Sequence, residues 1–252
     1  LEASLTKRLS HGLQFLASYT FSKALDTDAP DVSQASGGTS GDVLGDERNP
    51  KGRYGRTNFD RPHRLVVSYT YDFPQLKHGP EFSHTLLNGW QLGGVTTYQS
   101  GTALTVTGTN SYNAFGQTQD FAVLTGSCAK GSYVNSGPTQ KKLNSYWNTS
   151  CFSSKYPVIG SDGQATGWGN SGIGIANGPS QRNWDMALTK HTKVGWPHDS
   201  PLDVEFRAEF FNAFNTPQFG NPASSITNST FGEITTTSVN PRIIQFALKL
   251  NY

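Results

Sequence analysis

Three observations predict an all-β fold. Stretches of about ten residues alternate apolar and polar side chains with period two. The linkers between them alternate short and long, and aromatic residues stand at the strand ends. Together these describe an antiparallel up-and-down transmembrane β-barrel segment of about seven long strands, incomplete as a barrel, with long extracellular loops.

The first strand covers residues 1–9, where Leu1, Ala3, Leu5, Lys7 and Leu9 oppose Glu2, Ser4, Thr6 and Arg8, and Ser10-His11-Gly12 reads as a tight turn. Lys7 shares the apolar face with Leu5 and Leu9. A charge there would cost roughly 2–4 kcal/mol at mid-bilayer but about 0–1 near an interface, and the turn is close enough for the side chain to snorkel. The second strand, 13–23, sets Leu13, Phe15, Ala17, Tyr19 and Phe21 against Gln14, Ser18, Thr20 and Ser22. Residues 24–60 lose all periodicity and form a long loop rich in Asp, Gly, Ser and Asn. The third strand, 63–73, opposes Leu65, Val67, Tyr69, Tyr71 and Phe73 to Arg64, Ser68, Thr70 and Asp72.

A shorter connection, 74–88, leads to a fourth strand at 89–99. Trp90 and Tyr98 sit at its two ends on one face. At roughly 3.4 Å per residue and a tilt near 40° they lie about 20 Å apart along the membrane normal, as two aromatic girdles would. Gly94 and Thr96 weaken that face. Residues 101–181 are polar and Gly-rich, with a local strand expected near Ala103–Thr107. The fifth strand, 182–190, carries Trp184, Met186 and Leu188 and ends in a short connection through Gly195, Pro197 and Pro201. The sixth, 202–212, opposes Leu202, Val204, Phe206, Ala208 and Phe210 to Asp203, Glu205, Arg207 and Glu209. After a last long loop, 213–241, the seventh strand puts Ile244, Phe246, Leu248, Leu250 and Tyr252 on one face. Trp90, Tyr98, Trp184 and Tyr252 are therefore the expected membrane-interface aromatics.

Short linkers follow strands one, three and five, and long ones follow two, four and six. An outer-membrane barrel has short periplasmic turns and long external loops, whereas a sandwich has no reason to gather its long loops at one end. An odd strand count closes poorly in a single-chain bacterial barrel, so further N-terminal strands are expected upstream.

Composition narrows the function. No run of about eighteen apolar residues exists, which excludes a helical span, while a mean hydropathy of −0.49 is compatible with strands apolar on one side only. A net charge of +2 with scattered basic residues argues against nucleic acid. Gly167-Trp168-Gly169-Asn170-Ser171-Gly172 satisfies the dinucleotide pattern, but no buried strand precedes it and no helix follows. Asp26, Asp28, Asp31, Asp42, Asp46 and Glu47 could offer oxygen ligands to Ca²⁺, yet lack EF-hand spacing and suit a solvated loop. His11, His63, His78, His84, His191 and His198 show no metal spacing, and no Gly-x-Ser-x-Gly elbow is present. The chain is not expected to be an enzyme or to hold a cofactor or metal. Asn148-Thr149-Ser150 and Asn228-Ser229-Thr230 match a glycosylation pattern that means little in a bacterial protein. Cys128 and Cys151 could bridge in an oxidising compartment or stay as thiols.

Five linked segments carry a family resemblance: DRPHRLVVSYTYDFP (60–74), GWQLGGVTTYQSGTALTV (89–106), NWDMALTK (183–190), EFRAEFFNAFNTPQFGNP (205–222) and FGEITTTSVNPRIIQFALKLNY (231–252). In this order they resemble the C-terminal strands of TonB-dependent outer-membrane receptors. The nearest branch carries an N-terminal carboxypeptidase-regulatory-like domain and is abundant in Acidobacteria. The resemblance implies a bacterial outer-membrane location and a barrel of about 22 strands around a plug. It also implies import of a scarce solute, driven through an energy-transducing periplasmic protein. Wall strands would meet outer-membrane lipid, and the terminal strand resembles the signal read by the barrel-assembly machinery. Neither the plug nor an energy-coupling box lies within this chain, so this stretch alone is not expected to transport.

In such a receptor the outer loops would contact a small solute, whether siderophore, saccharide or peptide. Tyr112, Asn113, Tyr133, Tyr146 and Trp147 are candidate contacts by stacking and hydrogen bonding. Packing around a Cys128–Cys151 bridge is the competing role for them. Two other functions are a surface barrel or adhesin that binds a partner through the same loops, and a soluble sandwich lectin. The upstream reading frame separates them: a plug and coupling box belong to transport.

Overall fold

The structure, a computed structural model, describes residues 1–27, 44–46, 48–111, 119–159, 161, 163–195 and 202–251. Seven long strands form one antiparallel sheet, each paired with the next along the chain. They are β1 (Glu2–Ser10), β2 (Leu13–Phe21), β3 (His63–Asp72), β4 (Trp90–Gln99), β5 (Gln181–Val194), β6 (Leu202–Phe211) and β7 (Ile243–Asn251). The sheet does not close on itself, and β1 and β7 are its two edges.

Register fixes which face each residue occupies, because residues directly opposite one another share a face. One row runs Phe15, Tyr69, Gly94, Met186, Phe210, Ile244, and the next runs Leu13, Tyr71, Leu92, Leu188, Ala208, Phe246. The seven stripes anticipated from alternation thus merge into one apolar face. On the other face His191 stands opposite Glu205 and Lys193 opposite Asp203. Across β7, Glu205 meets Lys249 and Asp203 meets Asn251. A soluble sandwich would bury the apolar face, but Phe246 and Leu248 are each 67% exposed. Among the described residues, no second sheet packs on it.

The short linkers all lie at one end. His11 and Gly12, with φ of 54° and 78°, make the β1–β2 turn, the both-positive conformation whose twist matches that of a hairpin. Lys7 Nζ reaches back to this turn, donating to the Ser10 carbonyl at 3.4 Å and to the Ser10 hydroxyl, which is the snorkelling geometry anticipated for it. The β3–β4 linker, read as a plain connection, contains a helix, α1 (Glu81–Leu87). Pro80, extended, stands at its N-cap, and Asn88 ties its end back to the linker's start through Leu76. β5 runs four residues past the expected end at Lys190, to Val194. In the added length His191 and Lys193 continue the polar face.

The three long loops depart most from expectation. The local strand expected near Ala103–Thr107 is present in two pieces, and residues 101–181 build far more than it, four short strand pairings and two helical turns with their neighbours: Ala103–Leu104 with Ala176–Asn177, Thr107–Thr109 with Gln119–Phe121, Val123–Leu124 with Phe152–Ser153, a parallel bridge from Thr107 to Ser225, α2 (Thr139–Asn144) and a 3₁₀ turn at Thr149–Cys151. Nearly all fully buried apolar side chains belong to these loops, Val106 and Trp147 at 0% exposure among them. The wall has no such core. Irregular spacing among Gly and Ser hides these apolar residues from any periodicity test.

Substituting Gly12 tests the hairpin. A Cβ there would lie 2.4 Å from the Asp72 carbonyl oxygen, and φ is left-handed. Gly12→Ala is expected to destabilise the wall by about 1–3 kcal/mol. Guanidinium unfolding in lipid vesicles measures it, and an unshifted midpoint would refute the turn assignment.

Candidate functional site

The loops join into a cap at the end of the wall opposite the short turns. Its core contains Leu104, Val106, Ala122, Tyr146, Trp147, Cys151 and Phe152 from one loop, packed with Ile226, Phe231 and Ile234 from the last loop. The Trp147 ring stacks on Phe231 at 6.4 Å and meets Phe152 edge-on at 5.9 Å, while its Nε1 donates to the Ala223 carbonyl at 3.2 Å. Cys128 and Cys151 form a disulfide that closes the segment carrying Tyr133 and Trp147. A second cluster, Leu44, Phe121 and Ile173, ties the first long loop to the second. Arg56 reinforces it: Nε pairs with the buried Asp60 carboxylate at 2.6 Å, and Nη1 donates to Asn177 Oδ1 at 2.6 Å.

The last loop is stitched to the wall by its own amides. Asn212, in a left-handed conformation, takes the Thr216 N–H on Oδ1 and donates Nδ2 to the carbonyls of Thr216 and Asn240, joining the loop's start to its end. Asn215 Oδ1 accepts the Arg242 N–H at 3.0 Å. The buried Gln218 accepts the Arg182 N–H at 2.6 Å and donates to the Arg182 carbonyl. These contacts explain the Asn and Gln of the NAFNTPQ segment.

Of the candidate contacts, Tyr146 and Trp147 lie in the cap core and Tyr133 packs against Phe152 at 5.8 Å. Burial leaves Trp147 no surface to offer a solute. Tyr112 and Asn113 lie outside the described residues, as does Tyr252. Trp90 stands at the short-turn end of the apolar face. Tyr98 and Trp184 meet edge-on at 5.4 Å at the loop end, and Phe214 adds a third ring 5.3 Å from Trp184. Gly169 of the dinucleotide-like run sits where a Cβ would strike the Phe121 carbonyl oxygen, so this glycine serves close backbone packing. Of the acidic cluster only Asp26 and Asp46 are described, and Arg48 beside Asp46 holds that carboxyl below its usual range. No group of three or more His, Cys, Asp or Glu residues among those described could hold a metal.

Two concavities stand out among the described residues. A hollow of about 680 Å³ on the sheet is lined by residues that include Gln14, Ser68, Thr70, Asp185, Arg207 and Glu209 of the polar face. Arg207 pairs with Glu209 at 2.7 Å, and Asp185 takes the Asn212 N–H at 2.9 Å. The other is a cap groove of about 720 Å³ between the second and last long loops, with Thr102, Asn221, Ser224, Ser225, Thr227 and Glu233 in its lining. These groove residues were not singled out from sequence. Their signal, a run of Ser, Thr and Asn from 221 to 230, is one that any polar loop gives.

Asp120 anchors the cap beside the groove. Its buried carboxylate accepts Asn110 Nδ2 at 2.8 Å and the N–H groups of Gly169 at 3.0 Å and Phe121 at 2.7 Å. Burial nevertheless pushes its pKa above the ordinary 3.8, outweighing those bonds, and burial, with a smaller push from the Asp120 charge, raises the Tyr156 hydroxyl.

Trp147→Ala is expected to cost the cap about 3–5 kcal/mol and leave the wall ladder intact. Hydrogen exchange would then rise in 121–152 and 223–234 but not in β2–β6, and equal loss in both would contradict a separate cap core. Asp120 supplies a pH test. The folded cap binds its proton more tightly than the unfolded chain does, so cap stability rises as pH falls from neutral toward 3.8. Asp120→Asn lacks this site and should lack that rise. Parallel melting curves for the two proteins across the range would exclude a raised carboxyl.

The comparisons with known proteins agree with this geometry. No curated protein and no solved structure matches the chain. Residues 1–245, nearly its whole length, match the family described as an outer membrane beta barrel domain. With an apolar face exposed across seven antiparallel strands and its long loops gathered at one end, the chain belongs to the outer membrane beta barrel domain family and resides in the bacterial outer membrane.

Proposed function

We propose that this domain supplies the wall and the solute-receiving cap of a TonB-dependent receptor that imports a scarce solute across the outer membrane. The cap groove carries the reading. It is built by two loops held in fixed relation by a common core, so its hydrogen-bonding groups are preorganised before any solute arrives. The five segments resembling such receptors support the import half, in which an energy-transducing periplasmic protein would act through a plug.

The groove's chemistry favours one solute class. Among the described residues its lining presents hydroxyls and amides with Glu233 as the charged side chain, and neither Lys nor Arg. An anionic ferric chelate would meet a carboxylate with no counter-charge, whereas a neutral, hydroxyl-rich saccharide finds donors and acceptors throughout.

Binding of an oligosaccharide panel to the intact protein in vesicles tests the groove. Asn221→Leu and Ser224→Leu are expected to weaken binding at least about tenfold, or 1.4 kcal/mol. Affinity unchanged in both would remove the groove from the function. Uptake that stops when the proton-motive force is collapsed supports import, and binding with no uptake supports the adhesin reading instead.

A further inference from the structure

The helix in the β3–β4 linker lines neither the cap core nor the groove, and among the described residues it carries the most exposed aromatic side chain of the short-turn end. Phe82 is 75% exposed, with Leu86 at 52% and Leu87 at 51%. Phe82 and Leu86 are four residues apart and so share one side of α1. Phe73 and Leu76, at the linker's start, are exposed as well.

This apolar patch is held rigidly against the wall. Trp90 Nε1 donates to the Leu86 carbonyl at 2.9 Å. Lys190 Nζ donates to the carbonyls of Thr85 at 2.7 Å and Asn88 at 2.8 Å, and lies 5.4 Å from the centre of the Trp90 ring. Asn88 clasps the linker's start, accepting the Leu76 N–H at 2.6 Å and donating to the Leu76 carbonyl at 3.1 Å. The His84 ring turns toward Leu76 at 2.8 Å, on the clasp side.

Position identifies the occupant. Trp90 pairs with Lys190, Lys190 with Phe206 and Phe206 with Leu248, so the residues that hold α1 form a row of the lipid-facing wall. The patch on α1 therefore begins where the lipid belt ends. Anything covering both would have to straddle the membrane boundary, and the bilayer already does.

We propose that α1 is an interfacial helix that inserts Phe82, Leu86 and Leu87 among the phospholipids of the periplasmic leaflet. Trp90 and Lys190 couple its depth to that of the wall. A short helix can do this because its apolar side need reach only the boundary between headgroups and acyl chains. The proposal depends on the membrane location of the wall, and does not depend on solute import.

Nitroxide labels on Phe82→Cys, Leu86→Cys and Leu87→Cys test it in the intact protein, with the native disulfide closed. The vesicles contain phosphatidylethanolamine and phosphatidylglycerol. Leu248→Cys reports the wall and Lys130→Cys the aqueous cap. Collisions with oxygen are expected to exceed those with a water-soluble nickel chelate at 82, 86, 87 and 248, and to fall below them at 130. Nickel-dominated collisions at 82, 86 and 87 beside an oxygen-dominated 248 would put α1 in water and overturn the proposal. Each label replaces an exposed side chain and reads independently, so the loss of one variant leaves the others to decide.

Discussion

Hydrocarbon offers a peptide group nothing to bond with, and that single constraint shapes the wall. Every N–H and C=O at membrane depth must find its partner on a neighbouring strand, because each one left bare costs several kcal/mol. The antiparallel ladder meets the demand for the five inner strands without any help from side chains, while β1 and β7 each keep one open edge. Side chains are then free to follow the solvent: rows such as Leu13, Tyr71, Leu92, Leu188, Ala208 and Phe246 face lipid, and the paired charges of β5, β6 and β7 face the other way. The wall needs no interior of its own. Its apolar side chains are exposed because lipid receives them.

Water returns beyond the strand ends, and the rules of soluble proteins return with it. The cap gathers Val106, Trp147 and Phe152 into a conventional core, adds a disulfide, and hydrogen-bonds buried polar side chains such as Asn110, Asp120 and Ser171. Asp120, which accepts from Asn110, Phe121 and Gly169, is the clearest case. The junction between the two regimes is made by side-chain amides: Asn212 and Gln218 supply bonds to backbone that neither ladder nor core would otherwise satisfy. Two folding principles thus operate within one chain, separated by the aromatic pair Tyr98 and Trp184.

How much of this was legible follows from what alternation can encode. Period-two patterning determines a strand whose faces meet different solvents, so all seven wall strands, their order and the side occupied by Lys7 could be read directly. β5 is longer than the 182–190 expected, because His191 and Lys193 continue its polar side. The cap could not be read this way. Its core residues are brought together by turns and isolated bridges, and nothing in the spacing of Trp147 or Phe231 shows that their rings will stack. The aromatic residues proposed as solute contacts illustrate the difficulty: in a loop, a tyrosine or tryptophan marks burial as readily as recognition, and only packing separates them. The groove was invisible for a related reason, since hydroxyl and amide side chains become a site through convergence.

The shared core of the second and last long loops also bears on how such a domain can vary. Phe231 and Ile234 have their partners on the other loop, and Trp147 bonds to the backbone of Ala223. Neither loop can drift alone, because a change in one uncovers apolar surface on the other. New specificities would have to be inherited, or grafted, as a matched pair of loops on an unchanged wall, which makes the pair and not the single loop the unit of exchange.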